Sequence, residues 1–148
     1  MAITGTGVAL TYGDLDAGQN NDCPDPSAPA GVISLTIHGK QEGSGLPLTF
    51  CIGRPDLLAG GLDLGPDTAG TEFRVVDASG SDASCTYTLD TSAPITGTAS
   101  AIGLCDNGAA PAGFALTIAG SLTLVRTCGA AVDTVAVALA GTVGVAAQ

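Results

Sequence analysis

The stretch Asp14-Leu15-Asp16-Ala17-Gly18-Gln19-Asn20-Asn21-Asp22-Cys23-Pro24-Asp25 sets side-chain oxygens at alternate positions. That spacing lets a loop turn several hard ligands toward one point, as a bound calcium ion requires. Asp14, Asp16, Asn20, Asp22 and Asp25 are the candidate metal ligands, and calcium is the one candidate cofactor. Asp63, Asp67, Asp77 and Asp82 form a second, sparser acidic region. Catalysis has less to draw on. A Ser-His-Asp arrangement would have to use the single histidine, His38, and no G-x-S-x-G elbow accompanies it. No strand leads into a helix through a glycine-rich phosphate loop. The aromatic residues Tyr12, Phe50, Phe73, Tyr87 and Phe114 are too few for sugar platforms and read as core fillers. With no nucleophile, base and orienting group to assemble, the chain reads as a non-enzyme without catalytic residues.

The acidic stretch resembles the aspartate-rich calcium loops of EF-hand and thrombospondin type 3 repeats over about a dozen residues. Gln19 stands where the EF-hand loop places glycine, and Asp25 where it places a bidentate glutamate. The resemblance implies a calcium or partner-binding module built on Asp-rich loops, and it implies no fold.

These loops belong to a chain of 148 residues, long enough for one domain with its own core and without a composition break that would divide it. Hydrophobic residues make up 45% but aromatics only 3%, so the core must be built from Val, Ile, Leu and Ala. Such a core is thin, and cross-links or association would help to stabilise it. A formal net charge of −10, from 14 acidic and 4 basic residues, opposes binding to a phosphate backbone, so nucleic acid is not an expected partner. Nearly all of the acids are Asp, which favours turns over helices. The apolar run from Thr134 to Ala147 is too short and too strictly alternating for a membrane helix, so no membrane span is expected.

Period-two alternation recurs along the whole sequence, and helical spacing is absent. Strands are expected at Ile3–Tyr12, Val32–His38, Leu46–Ile52, Glu72–Asp77, Cys85–Asp90, Ile95–Leu104, Phe114–Thr127 and Thr134–Ala146. One helical turn is expected at Arg54–Leu58, where Pro55 suits a first helical position. The segments Gly13–Gly31, Ala59–Gly70, Ser79–Ala83 and Asp106–Gly113 carry the Asp, Asn, Gly and Pro of loops. About eight short strands joined by such loops describe an all-β, single-domain antiparallel β-sandwich, with a β-barrel as the alternative. Hairpin arithmetic places Gly97 opposite Gly120 and Gly120 opposite Gly141, a row of glycines along which a sheet bends sharply.

The five cysteines form no CxxC pair and read as a disulfide framework in an oxidising compartment, extracellular or at a cell surface, with a virion as the alternative. The first residues carry no basic and apolar secretory leader. Cys85 and Cys105, at one end of a hairpin formed by the fifth and sixth strands, are the first expected bridge. Cys23 and Cys51 are the second, which leaves Cys128 odd.

One sheet face departs from the usual composition. With Phe114, Leu116, Ile118, Leu122 and Leu124 pointing inward, and Val135, Val137, Leu139, Val143 and Val145 likewise, the opposite face carries only small residues. Thr117, Ala119, Ala138 and Ala140 lie at its centre, where a solvated face would carry Lys, Glu or Arg. A sandwich favours covering this face with the protein's own second layer or N-terminal loop. The other expectations are contact with another copy, where short side chains allow close approach, and a Thr-rich recognition surface. The functional expectation is a structural or surface-exposed β domain acting through self-assembly or adhesion, with itself or another surface protein as partner.

Overall fold

Inward-facing aliphatic residues at every second position organise the whole molecule. The computed structural model describes residues 1–20, 23, 25–41, 47–67, 73–102 and 113–147. Ten strands are found among these: β1 (Ala2–Gly5), β2 (Val8–Asn20), β3 (Ser34–Gln41), β4 (Pro47–Ile52), β5 (Leu62–Pro66), β6 (Phe73–Ser81), β7 (Thr86–Leu89), β8 (Thr96–Ile102), β9 (Phe114–Cys128) and β10 (Ala131–Ala147). A 3₁₀ helix at Pro55–Gly60 occupies the expected helical turn, with a proline at its start.

The fold is all-β and disulfide-containing. Its strands number ten rather than eight, and all of them hydrogen-bond into one sheet in the order β1-β10-β2-β3-β4-β6-β5-β8-β9-β7. Further pairings of β9 with β10 and of β6 with β7 carry the ladder round in a closed circuit. Most pairings are antiparallel, but β10 runs parallel to β2 and β5 parallel to β6. The sheet wraps around its core, because Tyr12 on β2 donates its hydroxyl to the Ser79 carbonyl on β6 at 2.8 Å although β3 and β4 stand between them in the ladder. All five aromatic residues are buried, as their small number demands.

Several segments differ from expectation. The first strand is a hairpin, since Thr6-Gly7 reverses the chain and β1 inserts between β2 and β10. The Gly13–Gly31 loop begins later than expected, because β2 continues to Asn20 and buries Leu15 and Ala17 against the core. Leu62 and Leu64, buried at alternate positions, make β5 out of the expected loop Ala59–Gly70. In the last two cases one or two buried aliphatic residues outweigh the Asp and Gly around them.

The glycine row is half realised. Gly97 lies opposite Gly120, but Gly141 pairs with Ile118 and Gly120 with Leu139. The turn sits one residue earlier than expected, at Gly129-Ala130, where Gly129 adopts φ +62°, the positive value that two-residue hairpin turns favour. A shift of two residues keeps every side chain on its expected face.

Both disulfides close onto strands. Cys23 pairs with Cys51, as expected. Cys85 pairs with Cys128 rather than Cys105, and Cys105 lies outside the described residues. The correction follows from topology. Residues 90–95 do not turn the chain back on itself. Asp90 N donates to Thr123 O at 2.9 Å, and its carboxylate holds Ser92 N at 3.0 Å, so β7 and β8 follow one another along the same edge of β9. Thr86 then sits opposite Thr127, which brings Cys85 beside Cys128.

Candidate functional site

The acidic candidates that the structure describes lie on a strand and on the turn that follows it. Asp14, Asp16 and Asn20 occupy alternate positions of strand β2 rather than a loop, and Asp16 is exposed. Asp22 lies outside the described residues. Asp25 follows the strand and caps its own turn, accepting from Ser27 N at 2.7 Å, and the hydrogen bonds from Ser27 hold its carboxyl below the usual carboxylate range. Among the described residues no three His, Cys, Asp or Glu side chains lie close enough together to hold a metal ion. His38 sits mid-strand on β3, exposed, with Nδ1 3.2 Å from Thr49 Oγ1.

The remaining charges tie elements together. Arg54 holds Asp56 through two hydrogen bonds of 2.9 and 2.8 Å, and Arg126 binds Asp133 across the β9–β10 hairpin while reaching Thr6 O at 3.2 Å. Arg74 reaches Cys23 O at 3.3 Å and Asp67 at 3.9 Å, which helps to hold the Cys23 segment over the outward side of β4. Ser34 and Thr36 on β3 are buried as well, and Thr36 pairs with Cys51 of the Cys23–Cys51 bridge.

Both tyrosines are tied in as well. Burial, followed by the charge of Asp77, pushes Tyr12 up to about 12. Burial and the Asp82 carboxylate, which accepts the Tyr87 hydroxyl, push Tyr87 up too. A group whose folded value is raised stabilises the fold fully below its unfolded value and loses that contribution as pH climbs through the folded one. Tyr12 should therefore not ionise near pH 10 in the folded protein, Tyr87 should ionise above its ordinary value, and alkaline unfolding should begin above about pH 10 as the phenolate form becomes favoured in the unfolded chain. An absorbance titration that finds a tyrosine ionising at its ordinary value in the native protein would contradict this.

The Thr/Ala face is the site that the structure does assemble. Thr117, Ala119, Ala138 and Ala140 are brought together at the centre of a surface spanning five strands, and all four are exposed. Cross-strand register sets three rows: Ser100, Thr117, Thr142; then Thr98, Ala119, Ala140, Ala2, Thr11; then Thr96, Ser121, Ala138, Thr4, Ala9. None of these residues is charged. Hydroxyls pair along the rows, with Thr117 Oγ1 2.9 Å from Thr142 Oγ1 and Thr96 Oγ1 3.0 Å from Ser121 Oγ. The first expectation, that a second layer or the N-terminal loop covers this face, is overturned. The strands that would form such a layer are ladder neighbours in the same wrapped sheet, and the Cys23 segment lies over β4 instead.

Beneath the face, the Gly97–Gly120 pair lets the sheet fold tightly. A side chain on Gly120 would point inward to within 3.1 Å of Leu64 Cδ2, so β5 packs where that side chain would be. Among the described residues, charged side chains appear at the margins. Asp63 pairs with Thr98 at one edge, and Arg126 and Asp133 lie toward the hairpin tip.

Sequence reasoning missed the contribution of β1 and β2 to this face, because reading Ile3–Tyr12 as one strand placed Thr4 and Thr11 in a single line instead of on two neighbouring strands. The Thr6-Gly7 pair was the available signal. No protein-family model, no curated protein and no solved structure matches the chain.

Proposed function

We propose that this chain is a non-enzymatic structural β domain that self-assembles through its Thr/Ala face, with another copy as its partner, at an extracellular or particle surface. One observation carries the reading: on a chain of net charge −10, five adjacent strands leave a continuous exposed face with no charge on it. Two acidic copies approach with least repulsion there, and short side chains let their backbones come close. Two disulfides fit the oxidising setting of an exported or particle-borne protein. Among the described residues no helix is long and apolar enough to cross a membrane.

The size of the face says how it would be used. At ~4.8 Å between strands and ~3.3 Å per residue along them, it covers about 500 Å². A standard interface takes about 800 Å² from each partner, so this contact suits repetition in a larger assembly better than an isolated pair.

Ala138→Lys tests the reading. Ala138 is exposed at mid-face, so the variant should fold with an unchanged β-type circular dichroism spectrum. In the contact the lysine would be desolvated without a partner, and light scattering should report a smaller species than the parent. A folded variant of the parent's size removes the face from consideration.

A further inference from the structure

Tyr87 and Arg126 stand directly opposite one another on β7 and β9, and both reach the same turn. Arg126 Nη1 donates to the Thr6 carbonyl at 3.2 Å, and the Tyr87 hydroxyl shares its proton between the Asp82 carboxylate and the Gly7 carbonyl, 3.3 Å away. Thr6-Gly7 is the turn that joins β1 to β2. β1 is four residues long and only Ile3 on it is buried, so its hold between β2 and β10 leans on that turn.

Two pairs further along the same ladder lies the Cys85–Cys128 bridge. Thr86 sits opposite Thr127 in between, so bridge and clamp are alternate pairs on one face of β7 and β9. A closed bridge keeps the first pair of β7 from fraying. Asp82 adds a second link, since its carboxylate accepts Cys85 N at 2.7 Å as well as the Tyr87 hydroxyl. With the bridge open, Tyr87 stands one pair from the end of its ladder with β9.

The two disulfides differ in access. Cys23 and Cys51 are 4% and 3% exposed. Cys85 and Cys128 are half-buried, and Cys85 lines an open recess of about 450 Å³ with Ser84, Thr127 and Gly129. Thiol–disulfide exchange requires the attacking sulfur to reach the bridge, so access decides which bridge reacts first. Asp82 also lines this recess and repels an anionic reductant, so the matching class is a small dithiol without carboxylates.

We infer that Cys85–Cys128 is a reducible latch: a dithiol opens it while Cys23–Cys51 stays closed, and opening loosens the clamp on Thr6-Gly7 and frees β1 from the sheet. In the exchange a thiolate of the reductant attacks one bridge sulfur, the S–S bond breaks, and the other cysteine leaves as a thiolate and takes a proton. The second thiol of the reductant then displaces the remaining cysteine, so two electrons and two protons pass to the protein and the reductant ends as a disulfide. Release of β1 uncovers the facing edges of β2 and β10 and the core position of Ile3. The latch holds whether or not the Thr/Ala face is a contact.

Graded dithiothreitol on the folded protein, followed by alkylation, peptide mapping and amide hydrogen exchange, tests the latch. The expected species has Cys85 and Cys128 alkylated and Cys23 still joined to Cys51, and its residues 2–5 exchange about tenfold faster or more while β3 and β4 keep their protection. Reduction of Cys23–Cys51 first or in step with Cys85–Cys128, unchanged exchange at residues 2–5, or loss of protection throughout the molecule each overturns it. A Tyr87→Phe/Arg126→Gln variant separates the clamp from general loosening, since it keeps both bridges and loses both bonds to the turn. Its residues 2–5 should exchange fast before reduction and change by less than about threefold on reduction. If the variant still gains about tenfold on reduction, the bridge does not act through the turn and the inference is overturned.

Discussion

Replacing Cys85 and Cys128 together with alanine lowers the stability of the domain by about 4 kcal/mol, as expected for opening a loop whose ends are 43 residues apart. The bridge carries more than loop entropy. β7 is only four residues long, and the disulfide extends its ladder with β9 by one pair, so both the attachment of β7 and the base of the exposed hairpin tip rest on it. Losing the Cys23–Cys51 bridge, whose ends are 28 residues apart, should cost about 3.5 kcal/mol in the same model. Against a typical total of about 5–15 kcal/mol, either loss is large, and full reduction should leave little folded protein. Denaturant midpoints of the variants measure the effects, and intact mass after alkylation with and without reductant counts the bridges. Four alkylated thiols at residues 23, 51, 85 and 128 before reduction would overturn both.

Gly97→Val is expected to destabilise by about 3 kcal/mol or more, beyond an ordinary overpacked core position. Gly97 adopts φ +145°, a conformation that L side chains rarely take, and a Cβ there would fall well inside 3.0 Å of the Ala119 carbonyl oxygen and Gly120 Cα. Backbone cannot rotate aside as a side chain does, so relief requires β8 to move away from β9. Gly120→Val should behave alike, since its Cβ would meet the Thr96 carbonyl and then Leu64. Gly18, around which no atom lies close enough to meet a Cβ, serves as the contrast, and Gly18→Ala should change the denaturant midpoint little. Equal midpoints for Gly97→Val and Gly18→Ala would remove the close-approach argument.

What was legible in the sequence is what period two encodes. Alternation in Phe114–Thr127 and Thr134–Ala146 placed Leu116, Ile118, Leu122 and Leu124 inside and Thr117, Ala119, Ala138 and Ala140 outside, and the structure agrees residue by residue. Pro55 marked the 3₁₀ helix for a local reason, its fixed backbone angle. Pairing partners were legible only where a short turn forced them. The expected Cys85–Cys105 bridge follows from reading the fifth and sixth strands as one hairpin, whereas the backbone bond from Asp90 to Thr123 keeps the chain running along β9. That bond joins residues far apart in sequence, and no local propensity records it. Asp14 and Asp16 misled for a related reason. Asp favours loops on its own, but both lie on a strand whose inward Leu15 and Ala17 decide the conformation, and Asp16 is exposed on it. The candidate face was therefore visible as a composition, while its exposure was not, because exposure depends on where every other strand goes.

The position of β1 has a consequence in time. Ile3 pairs with Leu139 and Leu15 with Val145, so the ladder circuit is completed by the first and last strands of the chain. Contacts this distant in sequence form slowly, since the loop between them must be closed before they reward it. A chain emerging from the ribosome has no partner for the edges of β1 and β2 that pair with β10 until β10 has been made. Its refolding should accordingly be slow for its size, on the order of milliseconds to seconds or longer. During that interval the same unpaired edges are the ones through which a second nascent copy could join the sheet in place of the chain's own tail.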